Sequence, residues 1–590
     1  MDGERIEESS GIIEHEATYI SENELKGMQK IDVSSVNIDN NDEIVFRVNN
    51  IFCIEGNWEI SLKVDKLKSV NNNYNVNKDY TINQTYDYNN EKIDINGDNC
   101  RYYTFASSLA SGQGYADISA PTPHPTNAFP PGYPLLMTPL RFFTDSIIAQ
   151  KILNGLFLLG GALLLFFFMI KRKIPESLAL VGACAAILSD RVLHFSTMMM
   201  SEMSCFFVST AAIFLLANMK KEKPFYKDLS FYGMLVMVIL CYHIRTQGVA
   251  LFAAVVLFFL CTKKWKEAAS TVAGFIIGCL PWIWRNKSLG IGQSRYFESI
   301  AQVNPWRPED GSLDLSGIID RFFETLGMLV SKALPNSVIP YFKVNYSAEV
   351  SAGFFMWIIA ILLIFLIIRG FWAFGKYRWV LIGYTVFTFG LVSIFSTPSE
   401  NRYITTLIPF MNMGLLVGIY AVATDTIHRF KLKYTFSPWV LSLLLLTGIG
   451  NIQELHAMNK MPFPPAYQNF FRLGLVLKEH VSPETVVASR KGELLYMFSG
   501  TRVAGYAYSQ DDRAVIQKML DDGVEYVILD QLGYSSTPRY LYPAIQKNDD
   551  LFFVASHVPN PDTYLLKFDR EAAKKKLSQS QRQDGKNTLP

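Results

Sequence analysis

DNCRYYTFASSLASGQGY (98–115), followed by FPPGYPLL (129–136), is the stretch that decides how this chain is read. The spacing Asp98, Tyr102, Ala106, Leu109 predicts a short helix, which Gly112 and Gly114 stop. Pro130-Pro131-Gly132 then predicts a turn just ahead of the first long apolar run. The stretch is therefore the last polar segment before a series of membrane spans. It sets one acidic residue, Asp98, a short helix away from the bilayer surface.

Working outward from it, ten apolar runs follow, near 147–170, 178–197, 203–219, 229–246, 248–262, 267–284, 351–369, 379–397, 403–424 and 436–452. A bilayer is crossed by roughly 17 to 25 such residues. Composition agrees, because a chain 49% hydrophobic and only 18% charged is too apolar for a typical soluble protein. The expected fold is a polytopic α-helical membrane protein of about ten transmembrane helices, with a C-terminal soluble α/β domain and a short N-terminal β-containing segment. No basic stripe or nucleic-acid motif appears, so nucleic acid is not an expected partner. The seven cysteines include no CxxC and no Cys/His cluster, which argues against a disulfide framework or a zinc site.

Loop charges set an orientation. Lys171-Arg172-Lys173, Lys220-Lys221 with Lys223 and Lys227, Lys263-Lys264 with Lys266, Arg369 with Lys376 and Arg378, and Arg429 with Lys431 and Lys433 fall on alternate loops. The positive-inside rule makes these loops cytoplasmic. The expectation is an integral, multi-pass plasma membrane protein with the 98–146 loop, the 286–350 loop and everything after residue 452 outside. That placement asks for a span ahead of Asp98. A first span lying beyond the printed start is the expected answer, and a first span crossing from an external N-terminus is the other.

Charged side chains at membrane depth are costly and face a cavity or a partner. Here they gather at the outer ends of the spans: Asp190, Arg191 and His194; Glu202; His243, Arg245 and Gln247; Arg285; and Glu400-Asn401-Arg402-Tyr403. All lie on the side of Asp98, whereas the inner ends carry only the Lys/Arg runs. Each one alone is explained by an interfacial anchor or ion pair; as a set they predict a cavity opening outward. In the external loop, Ile318, Ile319, Phe322, Phe323, Leu326, Leu329, Val330 and Leu334 share one helical face. This predicts an amphipathic helix, lying in the interface plane or packed beneath the C-terminal domain.

Residues 1–97 form an uninformative segment, with EIVFRVNN and WEISLKV patterned as two strands. Residues 453–575 alternate TVVAS, KGELLYMFS, RVAGY, DDRAVIQKMLDDG, EYVILD, a further helix, LFFVAS and TYLLKF. The pattern predicts an α/β domain with a mostly parallel sheet. It carries no GxGxxG, P-loop or nucleophile elbow, and reads as an acceptor-docking or shielding domain. Residues 576–590 read as a solvated tail.

The 98–115 motif followed by PPGYPLL, Ser201-Glu202, Arg245-Thr246-Gln247-Gly248 and Asn401-Arg402-Tyr403 together resemble the GT-C superfamily of polytopic glycosyltransferases. The likeness is to glycosyltransferase family 39 and its bacterial relatives, the protein O-mannosyltransferases and aminoarabinose transferases, over roughly residues 98–450. It implies a GT-C-like transmembrane catalytic domain over 98–452 that moves a sugar from a polyprenyl-phosphate donor. It also maps the catalytic acid of the first external loop onto Asp98. Asn99 stands where many members carry a second acidic residue.

The residues fit that chemistry independently. Transfer with inversion to a hydroxyl or amine needs one carboxylate to take the acceptor's proton, here Asp98. The phosphate leaving group gains charge, which arginine meets with bidentate contacts; Arg245 and Arg402 are the first candidates, then Arg101 and Arg191. Glu202 orients an arginine or a sugar hydroxyl. Tyr102, Tyr115, Tyr133, His194, Gln247 and Tyr403 are expected to shape the substrate pocket. A monophosphate donor requires no metal and no further cofactor. The expected partners are membrane lipid, the lipid-linked donor and a lipid, glycan or protein acceptor. The plain structural readings are Asp98 as a helix N-cap and PPGYP as a rigid turn only. A transporter or lipid-linked sugar flippase, or an inactive scaffold, is the competing class.

Overall fold

The structure, a computed structural model, describes residues 93–95, 97–220, 222–292, 300–304, 307–339, 352–395 and 402–587, together with four strands earlier in the chain. Those strands pair as two antiparallel hairpins, β1 (Ile6–Glu8) with β2 (Gly11–Ile13) and β3 (Glu43–Ile54) with β4 (Asn57–Lys68). EIVFRVNN and WEISLKV fall on β3 and β4. The Glu400-Asn401 half of the expected motif lies outside the described residues.

The opening motif forms α1 (Asp98–Ala110). It stops where expected, with Gly112 and Gly114 both at φ 75°, a conformation glycine adopts without steric cost. After a short antiparallel pair, β5 (Ala116–Asp117) with β6 (His124–Pro125), the Pro-Pro turn leads into α2 (Gly132–Arg141), an added helix lying ahead of the first apolar run. Gly132 is needed there, since a Cβ would sit 2.6 Å from the backbone of His243.

Each of the ten apolar runs then coincides with helix. They are α3 (Ile147–Lys171), the broken pair α4 (Glu176–Leu188) and α5 (Asp190–Ser196), α6 (Glu202–Asn218), α7 (Leu229–Ile244), α8 (Val249–Cys261) and α9 (Trp265–Ser288). After the loop helices α10 (Leu315–Met328) and α11 (Leu334–Val338) come α12 (Phe354–Trp372), α13 (Arg378–Ser393), α14 (Ile408–Arg429) and α15 (Leu446–Lys460). Among the described residues five helices are long and apolar enough to cross a membrane, or six if α4 and α5, bent by 60°, count as one span. The remaining apolar helices are shorter, so length alone leaves the number of spans below the ten runs.

Small residues let this bundle close. A Cβ on Gly370 of α12 would lie 1.8 Å from the Gly414 carbonyl of α14, and one on Gly418 would lie 1.9 Å from that of Leu366. Van der Waals packing at such close crossings drives helix association where lipid removes the hydrophobic effect. On the opposite faces, Ile152, Leu156, Leu159, Leu163 and Phe167 form an exposed stripe along α3. A stripe of this kind suits hydrocarbon and is rare in water. At the basic ends, Lys173, Lys263 and Lys431 end their helices in the left-handed region, the geometry of a helix C-cap.

The external-loop helix is realised as α10, continued through a π-turn (Leu329–Ala333). Its apolar face is divided: Leu329 and Leu334 are buried, whereas Ile319 and Phe323 are exposed. The C-terminal sheet is built from β7 (Val486–Ala488), β8 (Arg502–Ala504), β9 (Tyr526–Leu529), β10 (Phe552–Val558) and β11 (Thr563–Phe568), in the order β10-β11-β9-β7-β8. The sheet, expected to be mostly parallel, is mixed, with two parallel and two antiparallel pairings. Only β7–β8 and β7–β9 are parallel, because β10 and β11 form a hairpin that brings β11 against β9 antiparallel. A tight turn permits only antiparallel neighbours, whereas parallel ones need a crossover. Helices α16 (Pro465–His480), α17 (Gly492–Ser499), α18 (Asp512–Asp521) and α19 (Tyr542–Lys547) cover it. The expected tail is helical in α20 (Arg570–Asn587).

Candidate active site

Three helix ends meet beside α1. Glu202 opens α6, Arg245 follows the last turn of α7, and Arg402 stands in the short helical turn Arg402–Leu407 ahead of α14. Alternating helices carry these positions to one end of the bundle and the Lys/Arg loops to the other. Asp98 is the first residue of α1, and its cap position is filled by Gly97 at φ 94° with no side-chain cap. The N-cap reading of Asp98 is thereby corrected: its carboxylate turns to the bundle.

There Arg402 Nη2 donates to Asp98 Oδ2 at 2.6 Å, while Arg402 Nε donates to Glu202 Oε1 at 3.3 Å. The same Oε1 accepts from Arg245 Nη1 at 2.6 Å. One carboxylate thus binds two arginines, and one arginine joins two carboxylates. Burial is graded along the chain: Glu202 is fully buried, the Arg245 side chain is 10% exposed, Arg402 22% and Asp98 32%. The acid expected to meet an acceptor is the one water reaches, and the acid at depth is compensated twice. Such compensation is needed because an unpaired charge at that depth is strongly unfavourable.

Hydrogen bonds extend the network. Arg245 also donates to Ser201 Oγ at 3.0 Å, and Ser201 Oγ lies 3.2 Å from the Tyr102 hydroxyl. Tyr102 meets Tyr133 edge-on, with ring centroids 4.9 Å apart. The Tyr133 hydroxyl donates to Asn154 Oδ1 at 3.1 Å, and Asn154 Nδ2 donates to the Met200 carbonyl at 2.8 Å. Asn154 therefore ties α2 and α3 to the loop that delivers Ser201 and Glu202. Glu202 Oε2 is buried and has no hydrogen-bond partner among the described residues. Such an oxygen calls for a donor from a ligand or a bound water.

No family model and no curated protein matches this chain in sequence. The solved structures that resemble it include ArnT from Cupriavidus metallidurans bound to undecaprenyl phosphate (TM-score 0.50, 12% identity, covering 79% of this chain and 93% of that one) and the same protein in the apo state (0.49, 12%, 80% and 93%). The likeness is one of fold. It makes the chain a helical membrane protein with a C-terminal sheet region.

The other expected residues divide. Gln247 Oε1 accepts from Arg245 Nε at 3.4 Å, and Tyr403 adjoins Arg402 in the same turn. Arg101 turns away from the bundle and pairs with Glu493 of α17, with Nε donating at 2.5 Å. Tyr115 packs on Phe105 and Trp282 beneath the Arg285 guanidinium, and its hydroxyl donates to the Phe129 carbonyl at 3.0 Å. It stabilises the loop and makes no described contact with the ion pairs. Arg191 lies 3.9 Å from Asp190, and His194 meets Phe195 edge-on; neither makes a described contact with Asp98 or Glu202. Cys100 stands two residues after Asp98; burial pushes its thiol up, and Asp94 adds to the shift. Among the described residues no three His, Cys, Asp or Glu side chains form a metal-holding group.

Sequence reasoning missed the sheet's part in this site. Besides Glu493, Lys491 reaches to 3.6 Å from the Cβ position of Gly97, Arg502 donates to the Ile118 carbonyl, and Val503 N donates to the Ser119 carbonyl at 2.7 Å. Charged residues shortly after one buried strand (VVASRK) and at the start of another (RVAGY) were the available signal.

Proposed function

We propose that this chain is an inverting glycosyltransferase that moves a sugar from a polyprenyl-monophosphate donor to an acceptor outside the membrane. The observation that carries the reading is Arg402, one guanidinium held between a partly exposed carboxylate and a buried one. The likeness in fold to ArnT, one structure of which binds undecaprenyl phosphate, supports the donor class.

Asp98 takes the proton from an acceptor hydroxyl or amine as that atom attacks the anomeric carbon. The bond from that carbon to the phosphate oxygen breaks on the opposite face, giving inversion and free polyprenyl phosphate. Arg402 and Arg245 receive the charge that grows on the departing phosphate; their fixed geometry strengthens the effect in a water-poor site. The unpartnered Glu202 oxygen accepts from a sugar hydroxyl. Residues 98–452 are the catalytic unit, 453–575 the acceptor-facing domain and 576–590 a tail. The site end of the bundle is external, supported by five basic loops at the opposite end.

The test is transfer of radiolabelled sugar from a polyprenyl-phosphate donor by the purified full chain and by Asp98→Asn. Equal rates would remove Asp98 as the base. The 60° break between α4 and α5 favours a second reading, movement of a lipid-linked sugar, since interrupted helices are common in transporters. Donor lipid crossing liposomes with no covalent product would establish that reading instead.

A further inference from the structure

The chain leaves β7 for β8 on one side and then crosses to β9 on the other, with all three strands parallel. Their carboxyl ends part at a topological switch point between β7 and β9, where open α/β sheets bind ligands. Charged and aromatic side chains stand at those ends: Arg490 and Lys491 after β7, Tyr508 after β8, and Asp530 after β9.

Asp530 is only 3% exposed. Its Oδ1 accepts from Leu532 N at 3.1 Å and from the Thr537 hydroxyl at 3.5 Å, and its Oδ2 is buried with no partner among the described residues. Above it the Arg490 guanidinium lies 4.7 Å from the ring centre of Tyr534 and 5.7 Å from that of Tyr508. Tyr508 and Tyr534 are both partly exposed. Two other segments wall the crevice. Lys491 lies 4.7 Å over Tyr534 and reaches Gly97, the residue before Asp98. On the far side Tyr508 stacks on Tyr540, whose hydroxyl donates at 2.8 Å to Glu309 of the long loop before α10. The crevice is thus bounded by the loop that carries the proposed base and by the second loop on the same end.

We propose that this switch-point crevice binds a sugar unit of a glycan acceptor, with Asp530 as its floor and Arg490 and Tyr534 as its sides. The proposal rests on the glycosyl-transfer reading and assigns the acceptor half of it. Sugar chemistry fits the lining. A hydroxyl both donates and accepts, so neighbouring hydroxyls answer the bare Asp530 oxygen and the guanidinium together. The apolar face of a sugar ring lies against an aromatic face. A phosphate fits poorly, because the buried carboxylate and Glu493 in the first turn of α17 oppose an anion there. The occupied sugar is led toward Asp98 along Lys491.

The test uses the full chain in lipid nanodiscs, with maltotriose, mannotriose and chitotriose as neutral probes and a Ser/Thr-rich octapeptide as the rival. Saturation-transfer NMR measures their affinity for the wild type and for Tyr534→Ala, Asp530→Asn and Tyr534→Phe. At least one trisaccharide should bind, weakening about tenfold in Tyr534→Ala and in Asp530→Asn. Tyr534→Phe keeps the ring and retains binding, which separates loss of the site from loss of the fold. No trisaccharide bound by the wild type, equal binding by Tyr534→Ala, or displacement by the octapeptide each overturns the proposal. Thermal stabilisation by undecaprenyl phosphate is measured separately. Trisaccharide binding without it would sink the transferase reading alone; the reverse would sink the crevice alone.

Discussion

Removing the charge of Glu202 is the perturbation whose consequences the geometry fixes best. Its Oε1 lies 2.6 Å from Arg245 and 3.3 Å from Arg402, with Glu202 fully buried. At an effective dielectric of about 20, contacts of this length correspond to about 6 and 5 kcal/mol of Coulomb attraction. Desolvation takes back several kcal/mol per ion, so the net worth of the pair is small while the cost of breaking it is large. Glu202→Gln leaves the buried Arg245 without a carboxylate and Arg402 with Asp98 alone, and should destabilise the chain by roughly 3 to 5 kcal/mol. Arg245→Met alone should cost less, because Glu202 keeps Arg402. The double variant should regain part of the loss, with a coupling of about 1 to 3 kcal/mol. Reversible unfolding of the purified protein in mixed micelles, followed by tryptophan fluorescence, gives all four corners of this cycle. Strict additivity would refute the shared-carboxylate account, and so would a Glu202→Gln protein as stable as wild type.

The remaining expectations concern activity and pH. Asp98→Asn should lower the transfer rate by about 10² to 10⁴, the usual share of a general base, with donor binding kept; an unchanged KM for donor alongside the fallen kcat checks it. Arg402→Lys should not rescue Arg402→Ala, since an ammonium cannot span Asp98 and Glu202 as a planar guanidinium does; restored turnover would contradict the bridging role. Glu493→Gln breaks a partly exposed pair and should lower stability by about 1 kcal/mol or less, read as a small shift of the melting midpoint. Burial raises the Asp530 carboxyl to about 6, against the opposing pull of Arg490 and Lys491 and beside Tyr506 and Tyr467. The folded state therefore holds that proton to higher pH than the unfolded one, and stability falls as pH rises from about 4 to 6. Asp530→Asn should relieve up to about 3 kcal/mol at pH 7 and almost nothing at pH 4; melting curves at the two values test this, and a gain equal at both would sink it.

The sequence by itself determined most of the secondary structure and the end of the bundle to which the site's charged groups are carried. Apolar length located every bundle helix, Gly112 and Gly114 ended α1, and the alternation after residue 480 located all five strands, because these are local properties of spacing and backbone. Grouping Asp98, Glu202, Arg245 and Arg402 was also legible, since alternating spans carry every second helix end to one face. Which of them touch was not. The sharing of one Glu202 oxygen by two arginines depends on crossings set by Gly370, Gly414 and Gly418 and by the Asn154 contacts, which join residues far apart in the chain. Arg101, expected at the phosphate, is instead claimed by Glu493, 392 positions away. The direction of β11 followed from a hairpin that composition does not orient. The opening motif gave up its acid to the bundle and its flank to the sheet, and only packing decided that division.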